Sequence, residues 1–505
     1  VLASLLIGSG IAGIQMVSAQ EKCPDVSALE AAAKAAPTTD AKALVDLGQA
    51  YLCTGRFRDA QFSLEEAIRR DYKSFEAHFH LGRALYEQGD YDAALLEYGQ
   101  LASLYPDRLE PYYQQGVVSA RVRKPEDAIK AFTQAIEVGK RIKAPDEILV
   151  STYLALASQY RALKNFDGVA TAYASALELR SGDAALMLGR AQALFDAGKP
   201  TDALPIAFEV RKNNPSNTGA VLLIADIYSA QGLPERALRE IDDTLASIKT
   251  PKERAELFVK RGVILQKAGR NNEAIAAFTA AADANPESWE AQYNIGVLLL
   301  PTKPADALAR FKNALRIKPD DGDTQLAIAT AHDAMKNYTA AYAAAKTAAG
   351  LLSNPAQKSR ARFLAARSAY NAGQYNDAST ELRALVAAEP ENYAYQLWYG
   401  LTRYQLKDTP GAVAALETAV KLNPTAVEAR TTLGAVYFAA RRFADAEQVL
   451  RSVLSVEPNN VDALTNLGFA LANLNRTEEA CTALAKATAL GSSAARQAAN
   501  QLKCR

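Results

Sequence analysis

The sequence predicts an all-α solenoid of about thirteen helix-turn-helix repeats, and three periodic features predict it. A small residue recurs at Gly48, Gly82, Gly116, Ala157, Ala191, Ala225, Gly262, Gly296, Ala329, Ala366, Gly400, Gly434 and Gly468, and eight of the twelve spacings are 34 residues. An Ala follows twelve residues later in eleven of the thirteen repeats, as Ala60, Ala94, Ala128, Ala274 and Ala446 do. A bulky residue usually stands at sixteen, such as Tyr98, Phe132, Phe278 and Leu450. Pro closes many repeats at twenty-four, as at Pro106, Pro215, Pro286, Pro390, Pro424 and Pro458.

The first element stands apart from these repeats. Residues 1–19 are apolar and uncharged, and Val17-Ser18-Ala19 has a small-x-small cleavage pattern. The segment reads as a secretory signal peptide cut after Ala19, although no basic stretch precedes the apolar run. At roughly 16 residues, and rich in Gly and Ser, the run is a poor bilayer span. No Cys stands at the cleavage point, so no lipoprotein anchor is expected, and no later stretch is apolar enough to cross a membrane. Residues 20–40 then read as an N-terminal capping segment.

Each repeat is expected to fold as two antiparallel helices of about 12–14 residues. A short turn joins them, often Gly-x-Tyr or Gly-x-Phe followed by an acid. The small residue of the first helix and the Ala of the second are placed where the helices cross most closely. The bulky residue fills the space beside the crossing. Pro ends the second helix because it has no N–H with which to extend it. The repeat from Trp289 is one residue short, which moves Ala307, Phe311 and Pro319 one place early.

At these residues the chain resembles the tetratricopeptide repeat family, over about Ala41 to Ala494. The resemblance implies a right-handed superhelix whose first helices line a concave face. Spacings of 41, 37 and 37 follow the third, sixth and ninth repeats, and each long link holds a Pro: Pro145, Pro251 and Pro355. The array therefore divides into blocks of about 41–149, 150–254, 255–358 and 359–494. Superhelix curvature is expected to change at these joints, unless the extra residues are accommodated as surface loop. Residues 495–505 read as a C-terminal capping segment.

The four cysteines lie at the two ends of the array. Cys23 precedes the first repeat and Cys53 ends its first helix; Cys481 is in the last second helix and Cys504 is penultimate. End repeats of a solenoid bury one face less and fray first. Disulfides Cys23–Cys53 and Cys481–Cys504 would pin the caps, each adding about 3–4 kcal/mol in the loop-entropy picture. In a reducing compartment the same residues would be four buried thiols.

Composition excludes some functions. Hydrophobic residues make up 49% of the 505, the net charge is +1 and the pI about 7.7. That balance lacks the basic footprint of a nucleic-acid binder or a polybasic membrane surface. There is no P-loop, GxSxG elbow, HExxH or CxxC zinc pattern. His78 and His80 are two apart on a helix, so they point to nearly opposite sides and cannot share a metal. His332 reads as a satisfied core histidine. Asn337-Tyr-Thr and Asn475-Arg-Thr are glycosylation triplets near chance frequency. No cofactor, no metal and no catalytic site are expected, and the chain reads as a non-enzyme.

If the resemblance holds, positions six, three and two before the small residue, and one, four and five after it, face the groove. Two clusters stand out there. The second and third repeats offer Phe79, His80, Arg83, Tyr86, Tyr113 and Gln114. The tenth and eleventh offer Arg360, Phe363, Arg367, Tyr370, Trp398 and Tyr404. Aromatics interleaved with Arg fit an interface hot spot. They also fit side chains that pack on each other across adjacent repeats, the commoner role of an aromatic stripe at helical spacing. The Lys, Arg and Asn set with which some family members grip a C-terminal carboxylate is not found in three successive repeats.

The function expected is an exported binding scaffold, periplasmic or secreted. It would hold a peptide or protein partner in the concave groove, within a bacterial envelope assembly or secretion machine. A second reading is a periplasmic docking sleeve in exopolysaccharide export, with sugars stacked on Trp398, Tyr370 and Tyr404. A third is a soluble regulator outside any fixed complex.

Overall fold

The computed structural model describes residues 23–35 and 40–504, so the expected signal peptide, residues 1–19, lies outside them. Among the described residues run 28 α-helices and no strand. Two compact bodies share them, Val1–Ile248 and Lys249–Arg505. The division falls in the long link that holds Pro251.

In the first body α1 (Val26–Ala35) precedes six repeats. These are α2 (Lys42–Cys53) with α3 (Phe57–Arg70), α4 (Phe75–Gln88) with α5 (Tyr91–Leu104), and α6 (Glu110–Arg121) with α7 (Pro125–Arg141). Then come α8 (Asp146–Ala162) with α9 (Phe166–Leu179), α10 (Ala184–Asp196) with α11 (Pro200–Asn213), and α12 (Thr218–Ala230) with α13 (Pro234–Leu245).

The second body holds seven repeats. They are α14 (Pro251–Lys267) with α15 (Asn271–Ala284), α16 (Trp289–Leu299) with α17 (Pro304–Ile317), and α18 (Gly322–Ala334) with α19 (Tyr338–Leu351). Next are α20 (Pro355–Asn371) with α21 (Tyr375–Ala388), and α22 (Tyr393–Gln405) with α23 (Thr409–Leu422). Last are α24 (Val427–Ala439) with α25 (Phe443–Leu454), α26 (Val461–Asn473) with α27 (Thr477–Ala489), and the closing helix α28 (Ser493–Gln501).

Local chemistry sets the helix ends. Many helices begin on a side chain that accepts a free backbone N–H: Ser74 from Ala77 N, Asp90 from Ala93 N and Asn460 from Ala463 N. In twelve of the thirteen repeats the seventh residue after the small one has positive φ; Gly fills it in six, and Arg123, Lys164, Lys336, Lys407, Arg441 and Asn475 fill the rest. The exception is the short eighth repeat. Its deletion removes that left-handed residue, and Lys303 in its place has φ −137°.

Packing inside a repeat corrects one expectation. The bulky residue does not sit beside the crossing but directly over the missing Cβ of the small residue. A Cβ on Gly116 would lie 2.6 Å from Phe132, and one on Gly262 or Gly296 would lie 2.5 Å from Phe278 or Phe311. Where the small residue is Ala, the partner is also Ala in two of five repeats: Ala191 goes with Ala207 and Ala329 with Ala345. In the fourth repeat Tyr173 leaves the pattern and fills the space over Gly189 of the next repeat.

The extra residues at the three long links are largely helical. The first helices there, α8, α14 and α20, are each 17 residues long, and Pro145, Pro251 and Pro355 mark their starts. In each body some first helices of consecutive repeats touch directly, as α2 with α4 and α24 with α26 do; no pair of second helices meets to that extent. Where they touch, the first helices are the more closely spaced layer.

Both expected disulfides are present. Cys23 bonds Cys53 with Cα atoms 5.7 Å apart, and Cys481 bonds Cys504 with Cα atoms 5.4 Å apart. The second ties the chain after α28 to α27, and Leu502 packs on the last core cluster.

Candidate functional site

The cluster of the tenth and eleventh repeats is carried by α20 and α22. Asn354 caps α20 by accepting from Ala356 N and Gln357 N, and Asn392 caps α22 by accepting from Ala394 N and Tyr395 N. Helical spacing then puts Arg360, Phe363, Arg367 and Tyr370 on one face of α20. Tyr370 meets Trp398 of α22 edge to face, with centroids 5.3 Å apart and planes at 88°. Phe363 tilts onto Tyr395 at 5.1 Å, and Tyr395 is buried over Leu382 and Leu385. Tyr404 is half-buried on the cluster around Leu416 and Leu433. Each aromatic thus packs on its neighbours, and Phe363, Tyr370, Trp398 and Tyr404 remain partly exposed.

The two arginines differ. Arg367 Nη2 donates to Asp333 Oδ2 at 3.1 Å, and Ser368 Oγ donates to the other carboxylate oxygen at 3.3 Å. Asp333 lies on α18, so this charge is met from the preceding repeat. Arg360 is exposed. Gln405 Nε2 donates to the Tyr370 hydroxyl at 3.4 Å. The floor between α20 and α22 is therefore apolar and its charge largely compensated.

The strip continues where sequence reasoning saw nothing. Phe438 on α24 and Phe469 on α26 tilt together at 5.8 Å. Phe438 stands four after Gly434, as Tyr370 and Tyr404 stand four after their own small residues. That register was the signal available in the sequence. The second Trp lies away from this strip, where Trp289 sits under Lys318 Nζ, 4.3 Å from the ring centroid.

The cluster of the second and third repeats needs a correction. Phe79 is only 6% exposed and packs on Phe75 and Tyr98, so it is core and offers no face to a partner. The physical reason is Tyr98: the bulky side chain of the same repeat lies against the position three before Gly82 and covers it. Tyr86 packs edge to face on Tyr91, and Tyr113 tilts onto Phe132. Arg83 and Gln114 are half-buried. His80 Nε2 accepts from Gln49 Nε2 at 2.6 Å, while its Nδ1 is buried without a partner. Burial, with help from Arg83, lowers the His80 pKa to about 4, so the ring is neutral.

His78 points the other way, as expected. It is 1% exposed, with Nδ1 on the Glu97 carboxylate and Nε2 on the Tyr72 carbonyl at 3.0 Å. Burial opposes its charge, but the Glu97 hydrogen bond and the Tyr72 carbonyl raise its pKa above the ordinary value. His332 is not a satisfied core residue. It is half-buried and its Nδ1 has no partner. Among the described residues no group of three or more His, Cys, Asp or Glu is placed to hold a metal ion, and no helix is long and apolar enough to cross a membrane.

Two models of the tetratricopeptide repeat match the sequence. One matches residues 45–108, 154–217, 259–301 and 363–427, the other 403–455 and 437–502, and together they span more than half of the chain. The chain belongs to the tetratricopeptide repeat family. As a tetratricopeptide repeat array it is a scaffold for protein–protein interaction. It is similar to the human protein O-mannosyl-transferase TMTC1, with 28% identity over 150 residues. That match covers 29% of this chain and 17% of the human protein's length. Among solved structures it is similar to Naa15/Naa10 bound to HypK-THB, with 14% identity and a TM-score of 0.38, over 92% of this chain and 77% of that one. It is also similar to YrrB, described as a tetratricopeptide repeat protein with an unusual peptide-binding site. Identity there is 20% and the TM-score 0.33, over 35% of this chain and 89% of that one.

Proposed function

We propose that this tetratricopeptide repeat array is exported and holds an extended peptide, or the surface of another envelope protein, along the first-helix face of repeats ten and eleven. The setting would be a bacterial envelope assembly or secretion machine, in the periplasm or outside the cell. The observation that carries the site is the Tyr370–Trp398 contact across consecutive first helices, which leaves a half-exposed aromatic floor whose Arg367 is held by Asp333. Such a floor binds by fit and desolvation, with no bond made or broken. The two end disulfides support the export part, since such bonds persist in oxidising compartments.

The compensation of Arg367 also favours a second reading, the polysaccharide sleeve, because sugars stack on aromatic faces and need no free cation. Crosslinking pull-down with residues 20–505 from the native envelope fraction separates the two. Enrichment of one protein by the parent chain, lost in Trp398→Ala, supports the scaffold and its site. The same protein captured by both forms keeps the scaffold and removes the site. Glycan without protein gives the lead to the sleeve.

A further inference from the structure

The first body begins with a joint that the array also uses internally. In the twelfth repeat Tyr437 Oη donates to Glu417 Oε1 at 2.7 Å, and Arg442 reaches the same carboxylate at 3.0 Å. Arg442 also pairs with Asp445 at 2.6 Å and lies 4.3 Å over the Tyr437 ring. Glu417 belongs to α23, the second helix of the preceding repeat. The first repeat has the same set. Tyr51 Oη donates to Glu30 at 2.6 Å, and Arg56 reaches Glu30 at 3.4 Å and Asp59 at 2.7 Å. Arg56 lies 4.3 Å over the Tyr51 ring. Arg476 of the thirteenth repeat likewise joins Glu479 to Glu447 of the preceding second helix, at 2.7 Å each.

Glu30 therefore does the work of Glu417, and α1 stands where the second helix of a preceding repeat would stand. Its apolar ridge is short. Val26, Leu29 and Ala33 pack on the cluster of Leu47, Tyr51 and Leu52, yet no residue of the ten-residue helix is fully buried. A helix so short is marginal by itself. The Cys23–Cys53 bond fastens it to α2.

We propose that α1 is a plug on a helix-docking slot at the end of the first repeat, kept on its own chain by Cys23–Cys53. With that bond open, α1 enters the same slot of a second copy of this chain. The second copy is the occupant because its own α1 carries the Glu that the slot reads. Exchange of one element between copies preserves every contact and needs no new surface. Docking within one chain is favoured by its high effective concentration, so exchange appears as protein concentration rises. The redox step is a simple one. A dithiol reduces the S–S bond to two thiols and is itself oxidised to a disulfide. Oxidised glutathione re-forms the bond and leaves as two thiols.

The test mixes two full-length variants, Cys23→Ser and Cys53→Ser, reduced and then reoxidised with glutathione. The only Cys23–Cys53 bond they can make lies between copies. The expected result is a covalent heterodimer whose yield rises with protein concentration, with the Cys23–Cys53 peptide pair identified by mass spectrometry. Adding Glu30→Lys to the Cys53→Ser chain should lower the yield roughly five-fold, since it sets two cations against each other in the slot. Absence of heterodimer at high concentration overturns the proposal. So does a heterodimer whose yield ignores Glu30→Lys, because exposed thiols alone would then suffice.

Discussion

The ring of Tyr98 occupies the space that a Cβ on Gly82 would need: its Cε1 would stand 2.6 Å away. The two residues are sixteen apart, one on each helix of the second repeat. Gly82→Ala should therefore destabilise that repeat by about 1–2 kcal/mol, overpacking outweighing the gain in helix propensity. Gly99, in the middle of α5, faces open space, and a Cβ there would meet nothing within 4 Å. Gly99→Ala should stabilise by up to about 1 kcal/mol. Hydrogen exchange of α4 and α5 amides reads both, because a repeat array loses structure locally.

Partner binding should depend on aromatics more than on Arg367. Trp398→Ala is expected to weaken binding roughly 10- to 30-fold, the cost of a buried hot spot. Arg367→Gln should change it less than about three-fold, since Asp333 already holds that charge. Phe438→Ala measures how far the ligand runs toward the last repeats. Titration calorimetry with the captured partner gives all three constants. A large effect at Arg367 with none at Trp398 would reject the site.

The C-terminal disulfide should stabilise one end only. Cys481→Ser with Cys504→Ser is expected to cost about 3 kcal/mol in the loop-entropy model. The loss should appear as faster amide exchange in α28 and α27, with α14 to α21 unchanged. An equal loss along the whole second body would mean that the end repeat is not an independent unit.

Three histidines give a clean pH test by NMR. His80 should stay neutral down to about pH 4, because burial and then Arg83 lower its pKa from 6.5. Its contribution to stability is complete above 6.5 and is lost as pH falls through the folded value. His332 has the same sign, lowered by burial and then Lys312. His78 has the opposite sign. Burial works against its charge, but Glu97 and the Tyr72 carbonyl raise its pKa above 6.5. Its contribution is present below 6.5 and lost as pH rises through the folded value. A single shared titration near 6.5 would contradict all three environments.

Much of the architecture could be read from the sequence by itself. A 34-residue period repeats the same local information thirteen times, so the helix pairs and turns follow from spacing, whereas the seat of the bulky residue over the small one does not. The disulfides followed from placement: each end of the array holds two cysteines and the middle holds none. What lay beyond reach was decided across interfaces. Phe79 turns into the core although its register matches groove positions, because spacing sets a helix face only to within about a residue. Arg367 finds Asp333 thirty-four residues upstream, and Glu30 takes the place of Glu417 on a helix outside the repeat. Periodicity shows that neighbouring repeats touch. Which side chains meet there depends on how each helix is rotated and packed against the next, and only the tertiary structure sets that.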